Sequence, residues 1–285
     1  MKNDKIEAAK TESGENMIKL IAIDMDGTCL DSKSRMSEKT VEALRKAAEK
    51  GIIIVPATGR NLSCLPHRLQ RENFYRYVIT SNGAGVIDLK EDKRIYNSCI
   101  KYETAVDLLK KCRGKGFGVA AHINEEYYIQ GKLLSLAGRI YFGRDAQNAI
   151  SEKDICKMTE EKQSEVEEIQ LYLIHPKSRE RIKEILKSYS DFSVAYSSIY
   201  VEIFDKNASK GRALSELAQK LGIEKGEIAC VGDGENDLSM FEASGLKFAM
   251  GNAVDELKEK ADIILPSNNE NGVAEAVNRI LLCLT

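Results

Sequence analysis

The stretch Ile18–Asp31, IKLIAIDMDGTCLD, restricts the fold more than any other part of the chain. It opens with an apolar run, Ile18 to Ile23, interrupted only by Lys19. A strand that is apolar at nearly every position must be covered on both faces, as a central strand of a parallel sheet is. The run stops at Asp24, with Asp26, Gly27 and Thr28 directly behind it. Two carboxylates therefore fall where a central strand ends, and open α/β sheets bind ligands outside the carboxyl ends of their strands. Acids this close repel unless a shared proton or a cation relieves them. Gly27 allows a turn through positive φ, and the Thr28 hydroxyl can bond a phosphate oxygen or a carboxylate. Taken alone, the same letters also fit a strand followed by an ordinary Asp-Gly turn.

Other segments repeat the arrangement. Ile52–Val55 reads as a second buried strand and runs into PATGR, so Thr58, Gly59 and Arg60 stand at its end. Ile228–Val231 runs into GDGENDLSMF, which places Asp233, Asn236 and Asp237 at a third strand end. Lys210 stands at the start of a helix expected over Ser209–Leu221, where a helix dipole disfavours a cation that has no anionic partner. Strand Tyr77–Thr80 leads into SNGA, Ser81–Ala84. Its Asn-Gly pair predicts a hairpin and leaves a role in the site open. A further helix is capped by Ser37, buries Val41, Leu44, Ala47 and Ala48, and ends at Gly51.

Between Gly85 and Phe204 the texture changes to short alternating strands, with helices over Glu103–Cys112 and Ser178–Tyr189. That pattern predicts an antiparallel α+β sheet. Leu136–Lys162 has no clear assignment, and its charge run Glu160–Lys162 reads as a solvated face. After Phe204 the α/β texture returns: strands over Lys247–Met250 and Ile263–Leu265, with helices over Val254–Lys260 and from Gly272. The simplest organisation is one α/β domain built from residues 17–84 and 205–285, with residues 85–204 inserted as a second domain. Residues 1–16 are polar and aperiodic and read as a disordered tail.

Composition removes several functional classes. A net charge of -2 and a pI near 6.1 give no basic field for nucleic acid. No apolar run approaches the roughly 18 residues of a membrane span, and the polar N-terminus lacks the features of a signal peptide. The seven cysteines are scattered with no C-x-x-C, which fits a reduced, cytoplasmic setting. The three histidines never cluster, so a histidine metal site is not expected.

Strand ends of a parallel sheet lie along one edge, so the polar clusters can converge. Several acids, one lysine, hydroxyls and glycine-rich turns make a site for Mg²⁺ and phosphate. DMDGT, ATGR, the lysine of NASKGRAL, and GDGENDLSMF followed by AMGNA resemble the four motifs of the haloacid dehalogenase-like hydrolase superfamily. The long insert, SNGA and SNNENGVAEAV resemble its Cof-like subgroup of sugar-phosphate phosphatases. The resemblance runs from Ile18 almost to the end and is weak through the insert. Met25, where Leu or Phe is commoner, and Asn61, where Pro is frequent, depart from the pattern.

The resemblance implies an α/β fold, a Rossmann-like core with an inserted α+β cap, and Mg²⁺-dependent hydrolysis of phosphate monoesters of small metabolites. It implies Asp24 as nucleophile, forming an aspartyl-phosphate, and Asp26 as general acid and then base. It places Mg²⁺ on the carboxylates of Asp24 and Asp233 and the backbone carbonyl of Asp26. Thr58, Gly59, Lys210 and Asn236 would bind the phosphate, with Asp237 behind them orienting Lys210 or metal waters. A phosphomutase using the same intermediate, or a phosphometabolite-binding regulator without catalysis, are the alternatives. The sequence is silent on the physiological substrate and the oligomeric state.

Overall fold

The structure, a computed structural model, describes residues 17–132, 134–136 and 148–283. The tail expected over residues 1–16 lies outside the described residues, as does part of the unassigned stretch that begins at Leu136. In chain order the strands are β1 (Leu20–Asp24), β2 (Ile53–Ala57), β3 (Tyr77–Thr80), β4 (Gly85–Asp88), β5 (Lys93–Asn97), β6 (Phe117–Ile123), β7 (Glu126–Gln130), β8 (Ile150–Glu152), β9 (Val166–Leu173), β10 (Phe192–Tyr196), β11 (Tyr200–Asp205), β12 (Ile228–Gly232), β13 (Leu246–Ala249) and β14 (Ile263–Ile264). They belong to two compact units. One joins the residues up to Gly59 with Pro66–Tyr96 and the chain from Ser209 onward, and the other holds Arg60–Leu65 and Asn97–Ala208.

In the first unit the sheet order is β14-β13-β12-β1-β2-β3-β4-β5. Strands β14 to β3 run parallel, and β4 turns back antiparallel on β3. Every residue of β1 and β12 is buried, as their uninterrupted apolar sequences require. From β1 the chain steps outward one way through β2 and β3, and β12, β13 and β14 step outward the other way. The strand order thus reverses beside β1, the place at which open α/β sheets bind ligands outside the carboxyl ends of their strands. Strands β4 and β5, which the sequence pattern placed in the insert, complete this first sheet instead. Short alternating strands read alike in either sheet, and only pairing with β3 across the SNGA turn decides the matter.

The helices of this unit are bounded by local chemistry. Ser37 accepts from the Thr40 N–H at 3.1 Å to begin Glu38–Glu49, which buries Val41, Leu44 and Ala47. Ser209 accepts from the Arg212 N–H at 3.1 Å to begin Lys210–Leu221, which buries Ala213, Leu214, Leu217 and Ala218 and ends at Gly222. That helix packs against Leu238–Ala243 so tightly that a Cβ at Gly211 would lie 1.9 Å from the Ser239 carbonyl oxygen. The same contact lets the Ser239 hydroxyl accept from the Gly211 N–H at 3.0 Å.

In the second unit the order is β10-β11-β9-β6-β7-β8, antiparallel except for the β7–β8 pair. Helices Tyr102–Cys112, Ile155–Lys162 and Ser178–Leu186 bury Leu108, Leu109, Ile155 and Ile182 with Ala121, Ile169, Leu171 and Ile203 of the sheet. Strand β8 and the Ile155–Lys162 helix escaped the sequence reading. The helix is only eight residues long, and the charges at its C-terminal end mask its buried Ile155, Cys156 and Met158. Those charges, Glu160–Lys162, are exposed as expected, and Glu160 accepts from Lys110 at 2.7 Å. The His122 imidazole is pushed down to about 3 by burial and is uncharged at neutral pH. No helix among the described residues is long and apolar enough to cross a membrane.

The Gly211 contact yields a stability prediction. Gly211→Ala forces the two helices apart and should destabilise the protein by about 1–3 kcal/mol, as overpacking does. Urea unfolding measures this, and a midpoint equal to that of wild type would show that the helices can separate freely.

Candidate active site

The register of the sheet assembles the site. Asp24 pairs with Ala57 of β2, so Thr58 follows immediately beside it. Ile23 pairs with Val231 of β12, so Gly232 and Asp233 follow on the other side. Asp24 is buried at 5% exposure, while Asp26 is exposed. Between the strand end and Leu30 the chain closes a tight loop, with the Cys29 N–H on the Asp24 carbonyl at 3.2 Å and the Leu30 N–H on the Met25 carbonyl at 2.9 Å. Gly27 has φ +86°, and a Cβ there would sit 2.3 Å from Asp233 Oδ2. Glycine is thus required twice over, for its conformation and for the approach of the carboxylate. The Thr28 hydroxyl donates to Asp233 Oδ1 at 2.6 Å, taking the carboxylate alternative that its sequence position left open.

Lys210, at the first position of its helix, is 1% exposed. Its Nζ donates to Asp24 Oδ1 at 2.6 Å and to Asp237 Oδ1 at 2.8 Å. The other Asp237 oxygen, Oδ2, accepts from the backbone N–H groups of Asp233 at 2.9 Å and Gly234 at 3.0 Å. Both Asp237 oxygens are therefore committed, and its observed part is to hold Lys210 and the turn after β12. Burial pulls the Lys210 pKa down, but the Asp237 and Asp24 carboxylates outweigh it and hold the ammonium above its ordinary value. Burial, reinforced by Asp237, pushes the Asp24 carboxyl well up against the pull of Lys210. Burial also raises Asp233, opposed by its bond from Thr28.

Asp24, Asp233 and Asp237 bring carboxylate oxygens within 4.8 Å of one another, a spacing that a single cation could bridge. Three carboxylates face one ammonium, which leaves an excess of negative charge that a divalent cation would offset. Asp24 Oδ2 is buried with no hydrogen-bond partner, a costly state for a carboxylate oxygen unless a ligand occupies it. With Asp237 fully engaged, Asp24 and Asp233 are the residues that fit a cation. An all-oxygen donor set suits Mg²⁺.

The remaining expected residues lie on the same edge. Thr58 is completely buried, and its carbonyl accepts from the Asn82 N–H at 3.0 Å. Asn82, at φ +54°, accepts at Oδ1 from Asn236 Nδ2 at 3.0 Å. The SNGA turn is therefore both a hairpin, joining β3 to β4, and a part of the site that ties Thr58 to the exposed Asn236. Gly59 adjoins the Asn82 amide. Arg60 follows Gly59 at the start of the turn counted with the second unit, and its Nη1 donates to the Cys64 carbonyl at 3.3 Å. The site also includes Asn252 and Asn268, which the residue-level reading passed over. Their strings, AMGNA and SNNENG, stand out in the sequence, but asparagines outside the main helices and strands carry no chemical signature of their own.

The sequence pattern of the haloacid dehalogenase-like hydrolases matches residues 21–277. Among curated relatives, the 5-amino-6-(5-phospho-D-ribitylamino)uracil phosphatase of Bacillus subtilis (strain 168) is 30% identical, over 93% of this chain and 98% of its own length. A phosphoglycolate phosphatase of Methanothermobacter thermautotrophicus is 28% identical over 93% of this chain and 99% of its own. A solved haloacid dehalogenase-like hydrolase of Bacteroides thetaiotaomicron superposes with a TM-score of 0.81 at 26% identity, covering 92% of this chain and 99% of the other.

The raised carboxyls give a pH prediction for the metal-free protein. A group whose folded pKa lies above its unfolded value of about 4 favours the folded state while protonated, and that stability is lost as pH rises through the folded value. Asp24 and Asp233 should therefore make metal-free protein less stable at pH 8 than in the window just above the ordinary carboxylate range. Thermal melts in chelator across this range should show the fall, and Asp24→Asn should flatten it. A slope unchanged by Asp24→Asn would remove Asp24 as the source.

Proposed function

The chain belongs to the haloacid dehalogenase-like hydrolases and is similar to phosphatases along nearly its whole length, and from that footing we propose a Mg²⁺-dependent phosphatase of small phosphorylated metabolites, sugar phosphates in particular. The observation that carries the proposal is the state of Asp24. Lys210 holds one of its oxygens, and the other is buried and bare. A carboxylate offers about four lone-pair sites on two oxygens, enough to meet an ammonium, a cation and an attacked phosphorus atom.

In this mechanism an Asp24 oxygen attacks phosphorus and the bond from phosphorus to the ester oxygen breaks, leaving an aspartyl-phosphate. Asp26, exposed at the turn of its loop, gives its proton to the departing alkoxide. Water then attacks phosphorus, Asp26 takes the water's proton, and inorganic phosphate leaves with Asp24 restored. Thr58, Gly59, Lys210 and Asn236 bind the phosphoryl oxygens. Lys210 is suited to this because it stays charged while buried, so it needs no reorganisation as charge develops. Asp24 and Asp233, with the Asp26 carbonyl, would hold Mg²⁺, which supplies neutralising charge to the phosphate when bound. Preference for a sugar or polyol phosphate is supported by the relative named for a phosphoribityl compound.

Two measurements test the reading. Exhaustive chelation should abolish hydrolysis of a panel of phosphate monoesters and added Mg²⁺ should restore it; full activity in chelator would sink the metal assignment. The second separates the aspartates. Asp24→Asn lacks the nucleophile and should turn over nothing. Asp26→Asn keeps it, and nitrophenolate needs no proton to leave. That variant should release a burst of nitrophenol close to one enzyme equivalent and then stall as aspartyl-phosphate. Identical behaviour of the two variants, with no phosphorylated enzyme trapped in either, would overturn the division of labour.

A further inference from the structure

Asp26 presents a problem of placement. Asp26 stands on a short loop, and an error of 1 Å in the placement of a catalytic group costs about a hundredfold in rate, so whatever holds that loop matters. Beyond Leu30 the loop's own bonds are local, running from Ser34, Arg35 and Lys33 to Asp31. One long-range anchor is the Thr28 hydroxyl on Asp233 Oδ1 at 2.6 Å, and the others come from a segment more than two hundred residues further along. Asn252 Nδ2 donates to the Gly27 carbonyl at 2.8 Å and lies 3.4 Å from Asp233 Oδ2. Asn252 Oδ1 accepts from the Asn268 N–H at 2.9 Å. Asn268 Nδ2 donates to the Leu30 carbonyl at 2.8 Å, and Asn269 Oδ1 accepts from the Ser32 N–H at 3.1 Å. The same segment is tied to the opposite side of the site, because the Val254 N–H donates to the Asp233 carbonyl at 3.0 Å.

We infer that Asn252 and Asn268 are positioning residues that lock the loop carrying Asp26 to Asp233, and so hold the acid–base carboxyl in register with the nucleophile. The bonds bracket the loop: one asparagine takes the carbonyl just after Asp26, and the other takes the carbonyl where the loop ends. Both amides are used with a definite polarity. Asn252 must turn its donor to the two oxygens of Gly27 and Asp233, because its oxygen is already taken by the Asn268 N–H. Removing either amide leaves the fold's buried strands untouched, since both asparagines lie on its polar surface. It loosens the loop on the side where Asp26 works, with the Thr28 bond to Asp233 left in place.

This inference rests on the reading of Asp26 as the group that protonates the leaving oxygen, and it predicts a selective defect. Asn252→Ala and Asn268→Ala should lower kcat for a primary-alcohol sugar phosphate by about tenfold, because that leaving group needs the proton. Nitrophenyl phosphate, whose leaving group does not, should lose about twofold or less in the burst phase. In an Asp26→Asn background the asparagine substitutions should have no further effect on the burst, since residues acting through one another are not additive. Circular dichroism and melts establish that the variants are folded. Equal losses on both substrates, no loss on either, or a loss that persists in the Asp26→Asn background would each overturn the positioning role. Failure of the functional reading looks different, because Asp26→Asn alone would then show no dependence on the leaving group.

Discussion

A lysine ammonium held between two buried carboxylates joins three distant parts of the chain. Asp24 ends the first strand, Lys210 begins a helix after the second unit, and Asp237 follows the twelfth strand. Each of the three would be costly to bury alone, and removing one partner of such a group typically costs about 3–5 kcal/mol. The arrangement is tolerable because the charges nearly meet each other's needs. Burial leaves Asp24 and Asp233 with raised carboxyl pKa values, and their oxygens lie close enough together, with those of Asp237, that a single cation could bridge them.

The rest of the first unit can be seen as the means of bringing those charges together. The apolar strands β1 and β12 must lie side by side in the interior, and their parallel register delivers Asp24 and Asp233 to one edge. Close approach of the Lys210 helix to the Leu238–Ala243 helix needs a residue without a Cβ at 211, and the approach of the Asp233 carboxylate to the first loop needs one at 27. Hydrogen bonds from Thr28, Asn236 and Asn252 then fix groups that strand geometry leaves undirected.

Much of this was legible beforehand for identifiable reasons. The Asp24 strand was recognisable because burial on both faces leaves an almost unbroken apolar run, and the helix of Lys210 because Ala213, Leu214, Leu217 and Ala218 recur on one side. The unease of a lysine at a helix N-terminus pointed to an anionic neighbour, and two were found. The short helix Ile155–Lys162 was not legible, because eight residues with a charged end give too few turns for periodicity to show. The boundary between the units falls directly after Gly59, so Arg60 begins a turn counted with the second, a division that no local pattern announces.

The sequence by itself determined which residues could do chemistry, since acids, glycines and a lysine at strand and helix ends are local patterns with local causes. It also determined that a parallel α/β sheet would carry them. Only the tertiary structure decided what each group faces. It committed Thr28 to Asp233, both Asp237 oxygens to Lys210 and the β12 turn, and two loop asparagines to the Asp26 loop. It also decided that β4 and β5 extend the first sheet. The physical reason is common to all of these. Burial and periodicity are properties of one segment, whereas the partner of a polar side chain, or of an alternating strand, is set by which distant segment packs against it.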